Sequence, residues 1–358
     1  MPNSLFWLIS AFYFWFFSII GIYVIYMPKV LELNGYLAWQ IGVIFALSPL
    51  MRFVTPFLFL RHLQLTPTLY RAALIVGIVA GGLFFVTLHN FWLFMIPNIL
   101  LGISFALSLP FVETIALATI GKERYGRSRL FGSLGFILVA LVLARWMDEP
   151  TIALWLLLAT LFMTGLLGWF IHGQRHFGQN EEAFDLFKEW RLWANLLLMQ
   201  ISFGPFYNFF TIYESERGLD YTTISYLWTF GVIAEIVMLF FQAPLLRRNL
   251  LGILRFCTLA TAFRWLLLFL FPTSLPILFF AQSLHALSFA LYYSAAISYL
   301  FSTYANKTLA QQFFGGISFG LGGMLGSLFA GMVYGEYLFL YASLVALAAF
   351  LVLKPAHH

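Results

Sequence analysis

The segment LFWLISAFYFWFFSIIGIYVIYM, residues 5–27, contains no charged side chain and decides the fold class. A helix needs about 20 predominantly apolar residues to cross the hydrocarbon core of a bilayer. The segment is too long for the apolar core of a cleavable signal peptide, and Met1-Pro2-Asn3 supplies no basic residue before it. We therefore expect a retained membrane-spanning helix near the start of the chain.

Eleven further segments have the same character, and their connections are short. The predicted spans cover residues 5–27, 38–60, 71–88, 91–119, 129–146, 151–172, 191–213, 221–243, 250–271, 275–304, 308–333 and 336–353. The chain of 358 residues is 62% hydrophobic and 9% charged, whereas soluble domains carry roughly 25% charged residues. The fold class predicted is an all-α, multi-pass integral membrane protein with twelve transmembrane helices.

The positions of the 19 lysines and arginines predict the orientation. If the N-terminus lies in the cytoplasm, only Lys29, Arg145 and Arg217 fall on the outer side, and Arg52 and Arg264 fall within spans. All the others then lie in cytoplasmic positions, which is the distribution that membrane proteins favour. We expect both termini in the cytoplasm, and the net charge of +5 then needs no nucleic-acid partner.

A weak internal repeat divides the chain. LGISFAL at 101–107 matches HALSFAL at 285–291, and LFGSLGF at 130–136 resembles FFGGISF at 313–319 at nearly the same separation. These pairs fall in spans 4 and 10 and in spans 5 and 11. Six helices followed by six in parallel repeat is the arrangement of major facilitator transporters.

The repeat predicts an N-terminal six-helix bundle at residues 1–172, a cytoplasmic linker at 173–190 and a C-terminal six-helix bundle at 191–358. Within the linker, Asn180 is a candidate helix cap. Phe187 and Trp190 continue an apolar stripe of a short helix expected to lie on the membrane surface.

Four charged residues and a histidine lie inside the apolar spans, namely Arg52, Glu113, Glu235, Arg264 and His285. A charge inside a bilayer is costly, so such residues mark functional sites by default. The separation of the repeat also relates Arg52 of span 2 to Glu235 of span 8, so the two halves place opposite charges at equivalent positions. This pattern predicts a transporter.

Several runs resemble one branch of the major facilitator superfamily. They are YGRSRLFGSLGF (125–136), AEIVMLFF (234–241), FRW (263–265), QSLHALSFAL (282–291) and AAISYL (295–300). The branch contains the bacterial 3-phenylpropionate permease and is similar to lactose permease and to nucleoside:proton symporters. The resemblance implies two six-helix bundles related by pseudo-twofold symmetry and proton-coupled import of a small solute by alternating access.

The chain departs from the family pattern at three places. The loops RHLQLTPTLYR (61–71) and APLLRRN (243–249) lack the acidic residue of the usual charge latch. Ser288 stands where lactose permease has an acid, three residues after the span-10 histidine, so the proton-carrying role of that acid does not transfer.

Glu235, Arg264 and His285 are the predicted proton-coupling residues. A carboxylate beside an arginine stays ionised, and desolvation favours its neutral form once the partner leaves. Glu235 is the first choice for the proton carrier, Arg264 for the partner that drives deprotonation, and His285 for a relay or substrate ligand. The alternative is a buried ion pair that only joins helices, with a satisfied interior histidine beside it.

Arg52, Glu113 and Arg129 are the predicted substrate or gating residues. Glu113 follows Pro110 in span 4, Arg129 opens span 5, and a tight basic loop between them lets the two meet. The resemblance supports this role. Arg129 could instead be an arginine that snorkels to the interface, and Arg52 could be structural.

Aromatic and polar residues on spans 1, 7 and 10 are predicted to line the transport cavity, with packing as the alternative for each. They are Tyr13, Phe17, Tyr23, Tyr207, Asn208, Tyr292 and Tyr293. The substrate expected is a small organic molecule such as an aromatic carboxylate. A neutral sugar or nucleoside, efflux, and a non-transporting membrane scaffold are the alternatives.

The sequence does not predict an enzyme, a metal site or a cofactor, because it has no P-loop, no HExxH and a single cysteine, Cys257. The expected partners are protons, one small-molecule substrate and membrane lipid. We expect a monomer in a bacterial inner membrane.

Overall fold

The computed structural model describes residues 2–60, 65–147, 149–172 and 185–353, and these residues form helices and turns without any β-strand. Twelve long helices occur in this part of the chain, and we number them α1 to α12. The first six are α1 (Pro2–Gly21, continued by a π-helical turn Ile22–Tyr26 and by Met27–Leu33), α2 (Ala38–Leu60), α3 (Pro67–Thr87), α4 (Phe91–Thr119), α5 (Gly121–Leu143) and α6 (Pro150–Trp169).

The other six helices repeat this series. They are α7 (Trp190–Glu216), α8 (Tyr221–Phe241), α9 (Leu250–Leu270), α10 (Leu275–Ser283, a π-helical turn Ala286–Leu291 and Tyr292–Thr303), α11 (Lys307–Phe314, a π-helical stretch Gly315–Gly322 and Gly323–Val333) and α12 (Leu338–Val352). Each predicted span overlaps one helix.

Two helices extend furthest beyond their approximate predicted spans. Helix α1 continues past Met27 to Leu33, because Pro28 lies near the start of a helical segment, where its missing N–H costs nothing, and because the buried Lys29 pairs with Glu32. Helix α5 begins at Gly121 instead of residue 129, since the basic segment before the apolar run is also helical. A hydropathy pattern reports the lipid-immersed part of a helix, whereas backbone hydrogen bonds continue into the headgroup region.

Ten of the described helices are long and apolar enough to cross a membrane by length and composition. The two not among them are α7, which carries buried polar side chains, and α12, which is apolar but has 15 residues. The lipid-facing surface is apolar, as shown by Trp92, Phe241 and Met332, whose exposed fractions are 72%, 73% and 76%.

The predicted linker helix is described only in part. Asn180, its predicted cap, lies outside the described residues. Residues Leu186–Glu189 form a 3₁₀ turn that begins where the Asp185 carboxylate accepts a hydrogen bond from the Phe187 amide at 2.9 Å. The turn leads directly into α7, so this part of the linker is not a separate surface helix.

Helix starts follow ordinary capping chemistry, in which a side-chain oxygen accepts from a free amide of the first turn. Thr66 caps α3, Asn90 caps α4, Asp220 caps α8, Asn249 caps α9 and Asn306 caps α11.

The chain forms two compact units, Met1–Gly178 and Gln179–His358. In the first unit, α1 packs against α5 and α6, α4 packs against α2 and α3, and α3 packs against α6. In the second, α7 packs against α11 and α12, α10 against α8 and α9, and α9 against α12. Each contact of the first unit thus recurs six helices later, which is the internal repeat expressed as packing.

Glycine sets the closest helix contact in each unit. A Cβ atom on Gly135 of α5 would lie 2.0 Å from the carbonyl oxygen of Phe14 in α1. A Cβ atom on Gly204 of α7 would lie 2.1 Å from the carbonyl oxygen of Gly326 in α11. Small residues let backbones approach in this way in membrane bundles. The equivalent pairs α1–α5 and α7–α11 therefore use the same device.

Candidate functional site

The first charged cluster forms where α4 turns back into α5. Only Ile120 separates the two helices, and Gly121 has φ +77°, a conformation that favours glycine. The tight turn holds the helices side by side and brings Arg129 Nη1 to 3.3 Å from Glu113 Oε1. The sequence predicts that these two residues meet, and in the structure they form this ion pair. Both side chains are partly exposed.

The guanidinium of Arg129 also lies against two aromatic rings of α1. Its Cζ atom is 4.6 Å from the centre of the Phe17 ring and 5.2 Å from that of Tyr13. Gly132, one helical turn after Arg129, makes this possible, because a Cβ atom there would lie 2.7 Å from the Phe17 ring. A cation over an aromatic face is held in place by the ring quadrupole.

Arg52 of α2 belongs to the same cluster, since the charge of Glu113 acts on it. Tyr125 of α5 lies within the fields of both Glu113 and Arg129 and contacts the Tyr13 ring edge-on, with centroids 6.3 Å apart. Glu113 therefore acts on both arginines, and the cluster combines these charges with the aromatic rings of α1.

The second cluster surrounds Arg264 of α9, which is 0% exposed. Its guanidinium donates three hydrogen bonds to α10. Nη1 donates to His285 Nδ1 at 2.9 Å and to Ser288 Oγ at 3.0 Å, and Nη2 donates to Gln282 Oε1 at 2.8 Å. A buried guanidinium is tolerated because such charge-assisted bonds replace water.

The faces of the guanidinium are covered by aromatic rings. Arg264 Cζ is 4.5 Å from the ring centres of both Phe206 and Trp265. On the far side, Gly231 of α8 leaves room for α10, because a Cβ atom there would lie 3.3 Å from Gln282 Oε1 and 3.7 Å from His285 Cβ. Helices α7, α8 and α9 together fix the position of the histidine.

His285 connects Arg264 with Glu235. Its Nε2 atom lies 3.7 Å from Glu235 Oε2, and its ring stacks on Phe289 with centroids 5.1 Å apart. Because a guanidinium has donors only, Nδ1 must accept the bond from Arg264. The neutral imidazole then carries its proton on Nε2, which faces the carboxylate. The sequence-based prediction pairs Arg264 with Glu235, and in the structure His285 contacts both.

Two members of this cluster were missed as site residues. Gln282 and Ser288 lie three residues before and three after His285, inside the run QSLHALSFAL. Helical residues three apart lie on neighbouring positions of one face. That spacing was the available signal, but neutral polar side chains carry little membrane cost and do not stand out beside charges.

Tyr207 lies at the edge of the second cluster. Its ring stacks on Phe203 with centroids 5.3 Å apart, and the charges of Glu235 and Arg264 act on its hydroxyl group. Its neighbour Asn208 is buried, and its amide donates to Ser327 Oγ of α11 at 2.8 Å.

The other predicted lining residues form hydrogen bonds within their own unit. Their roles in the passage stay predictions. Tyr23 donates to Asn98 Oδ1 at 2.5 Å, Tyr292 donates to Asn195 Oδ1 at 2.6 Å, and Tyr293 donates to Gln200 Oε1. Among the described residues, no group of three or more His, Cys, Asp or Glu side chains is placed to hold a metal ion.

Comparison with known proteins agrees with this architecture. The sequence matches the family model of the MFS_1 like family over residues 6–345. It is 25% identical over 372 residues to a probable 3-phenylpropionic acid transporter of Escherichia coli (strain K12), covering 98% of this chain and 97% of that protein. It is 28% identical over 303 residues to the uncharacterized transporter YwbF of Bacillus subtilis (strain 168), covering 79% of this chain and 73% of that protein.

A solved structure has the same fold. The nucleoside transporter NupG superposes with a TM-score of 0.76 at 15% sequence identity, covering 98% of this chain and 99% of that one. At this identity the likeness concerns the fold alone.

Proposed function

The chain belongs to the MFS_1 like family of major facilitator transporters, and on that basis we propose that it is a proton-coupled symporter that imports a small aromatic carboxylate. It works by alternating access, with Glu235, His285 and Arg264 coupling the proton and with Arg52, Glu113 and Arg129 holding or gating the solute. The contact of His285 with both Arg264 and Glu235 is the observation that carries the proposal.

The tautomer of His285 supports Glu235 as the proton carrier. While Arg264 donates to Nδ1, a second proton on the imidazole would place two donors and two positive charges face to face. Glu235 is the acid in this chain of contacts, and its carboxylate can take up a proton. Protonation there removes the negative charge that attracts the Nε2–H group, and the cluster is then free to rearrange.

The cluster of the first unit supports an anionic substrate. Arg52 and Arg129 both lie in the field of Glu113, and their guanidinium groups would attract a substrate carboxylate. Phe17 and Tyr13 present ring faces beside the guanidinium. An aromatic acid satisfies both features, and a relative covering almost the whole chain is a probable 3-phenylpropionic acid transporter.

The charge distribution along the sequence supports a location in the bacterial inner membrane with both termini in the cytoplasm. In that orientation an inward proton gradient drives uptake.

Uptake into proteoliposomes under an imposed pH gradient tests the coupling. We expect Glu235→Gln to abolish gradient-driven accumulation and to retain exchange of pre-loaded substrate, because glutamine imitates the protonated acid. Glu149→Gln, at an exposed acid before α6, is the matched control and should accumulate substrate normally. If Glu235→Gln still concentrates substrate like the unmodified protein, Glu235 does not carry the proton.

The substrate class is tested in the same vesicles. The panel contains 3-phenylpropionate, its neutral amide, a sugar and a nucleoside. We expect the acid to be accumulated and the amide, which has the same ring and length, to be at least tenfold poorer. Equal transport of the amide would contradict an anion site, and accumulation of the sugar or nucleoside instead would favour a neutral solute. Gradient-driven extrusion of a pre-loaded compound would favour efflux.

A further inference from the structure

Glu214, in the last turn of α7, is a fully buried acid outside both clusters. Its side chain is 0% exposed, and neither carboxylate oxygen accepts a hydrogen bond from any residue that the structure describes. An ionised carboxylate removed from water without donors costs far more than a neutral one, and in proteins the group usually becomes protonated instead.

The charge of Arg217 attracts that of Glu214, but its guanidinium does not donate to either carboxylate oxygen. Arg217 lies three residues after Glu214, but its Nη1 atom donates to the backbone carbonyl of Tyr213 at 2.9 Å. Its guanidinium also lies over the Tyr213 ring at 3.3 Å from the centroid. The neighbouring hydroxyl group of Tyr334 donates to Glu216 Oε2 at 2.6 Å. These local donors bond to other acceptors.

The remaining charges at this end of the unit are mostly negative. The turn to α8 contributes Asp220, the turn between α11 and α12 contributes Glu336, and α7 itself contributes Glu216. The titratable tyrosines at this end of the same elements are Tyr213, Tyr221, Tyr334 and Tyr337. Burial is therefore the main effect that disfavours an ionised carboxylate at Glu214.

We propose that Glu214 is a second proton-binding residue. It holds a proton while this end of α7 is buried and releases it when water reaches the turn that follows. Glu235 is a separate site, because it lies fourteen residues into α8, roughly 20 Å along that helix at 1.5 Å per residue.

Infrared difference spectroscopy of purified, substrate-free protein tests this assignment at pH 7. All samples carry Glu235→Gln, so that the acid of the proposed coupling site does not contribute. We expect the Glu235→Gln protein to show the C=O stretching band of a protonated carboxyl group. The band should be absent from the double variant that also carries Glu214→Gln. The matched control is Glu216→Gln, two residues further along α7 at an exposed acid that accepts from Tyr334, and it should leave the band unchanged.

A band that persists in Glu214→Gln, or that Glu216→Gln removes, overturns the proposal. If the glutamine variant does not fold, Glu214→Leu places an apolar side chain at the same buried position and must remove the same band. Absence of any such band in the Glu235→Gln parent also overturns the proposal. Because the measurement involves no transport, its failure is distinct from failure of the proposed symport.

Discussion

Tyr292 is a predicted lining residue of the transport cavity. The substitution Tyr292→Phe tests whether its hydroxyl group stabilises the helix bundle or contacts the substrate. The hydroxyl group of Tyr292 in α10 donates to Asn195 Oδ1 of α7 at 2.6 Å. The amide of Asn195 in turn donates to the carbonyl of Ala349 in α12 at 2.8 Å and to Thr258 Oγ1 of α9 at 3.3 Å. One fully buried asparagine thus joins four helices. We expect the substitution to reduce stability and to leave substrate affinity unchanged.

The magnitude follows from what phenylalanine leaves behind. Side-chain hydrogen bonds between membrane helices contribute about 0.6 kcal/mol on average and up to about 1.7 kcal/mol. The loss here also leaves Asn195 Oδ1 without its donor in a dry interior, and an orphaned acceptor costs about 1–3 kcal/mol. We expect a loss of about 1–2 kcal/mol for Tyr292→Phe. Asn195→Leu removes all three bonds and should cost about 2–4 kcal/mol.

The assay is reversible unfolding in mixed micelles, combined with the KM of uptake in proteoliposomes. Tyr341→Phe on α12 is the matched control, because Tyr341 is 42% exposed and should change stability by less than about 0.5 kcal/mol. A double-mutant cycle with Asn195→Ala then isolates the energy of the pair. Unchanged stability together with a several-fold rise in KM would refute the structural role and would place the hydroxyl group at the substrate.

Three further substitutions test the packing and one helix cap. Gly135→Ala should destabilise the first unit by about 1–3 kcal/mol, because its Cβ would overlap the Phe14 carbonyl. Gly82→Ala on α3, with open space around it, should instead stabilise by about 0.5–1 kcal/mol in the same unfolding assay. The cap of α8 should make stability pH-dependent, because Thr223 donates both N–H and O–H to Asp220 and these bonds lower the pKa of its carboxyl. The pKa of Asp220 is lower in the folded protein than in the unfolded chain. The stability that the cap contributes is therefore fully present above the unfolded pKa and is lost as the pH falls through the folded pKa. Asp220→Asn keeps an acceptor and should reduce the slope measured between pH 6 and pH 3, whereas an unchanged slope would contradict this origin.

The fold could be predicted because the solvent is lipid, and a spanning segment must be apolar along its whole length. Twenty apolar residues in a row have few structural outcomes, so each span could be located from hydropathy alone. The ends of α1 and α5 could not, since Lys29 and the basic segment before Arg129 read as loop. Their helical state depends on local backbone bonds and, for Lys29, on the pairing with Glu32, which hydropathy does not describe.

The sequence identifies the charged residues of the candidate site, but it does not show which of them contact one another. Arg264, His285 and Glu235 stood out because ionisable groups are rare in apolar helices. That the histidine contacts both charges depends on the crossing of α8, α9 and α10 and on the space left by Gly231. The sequence does not single out Glu214, because it stands near a helix end, where an acid is normally solvated. Its burial is a property of the packed structure.

In the proposed symport, binding of the proton and binding of the anion change the charge of the protein in opposite directions. The separation of the internal repeat relates Arg52 of α2 to Glu235 of α8, two residues of opposite charge. Protonation of Glu235 leaves Arg264 uncompensated, which adds one positive charge to the protein, and a bound carboxylate removes one. In the proposed symport each event favours the other, and binding linkage requires that the effect be reciprocal. A neutral solute would feel no such attraction. The proposed coupling of the two clusters is therefore an argument for symport of an acid over symport of a neutral molecule, whichever groups contact the substrate directly.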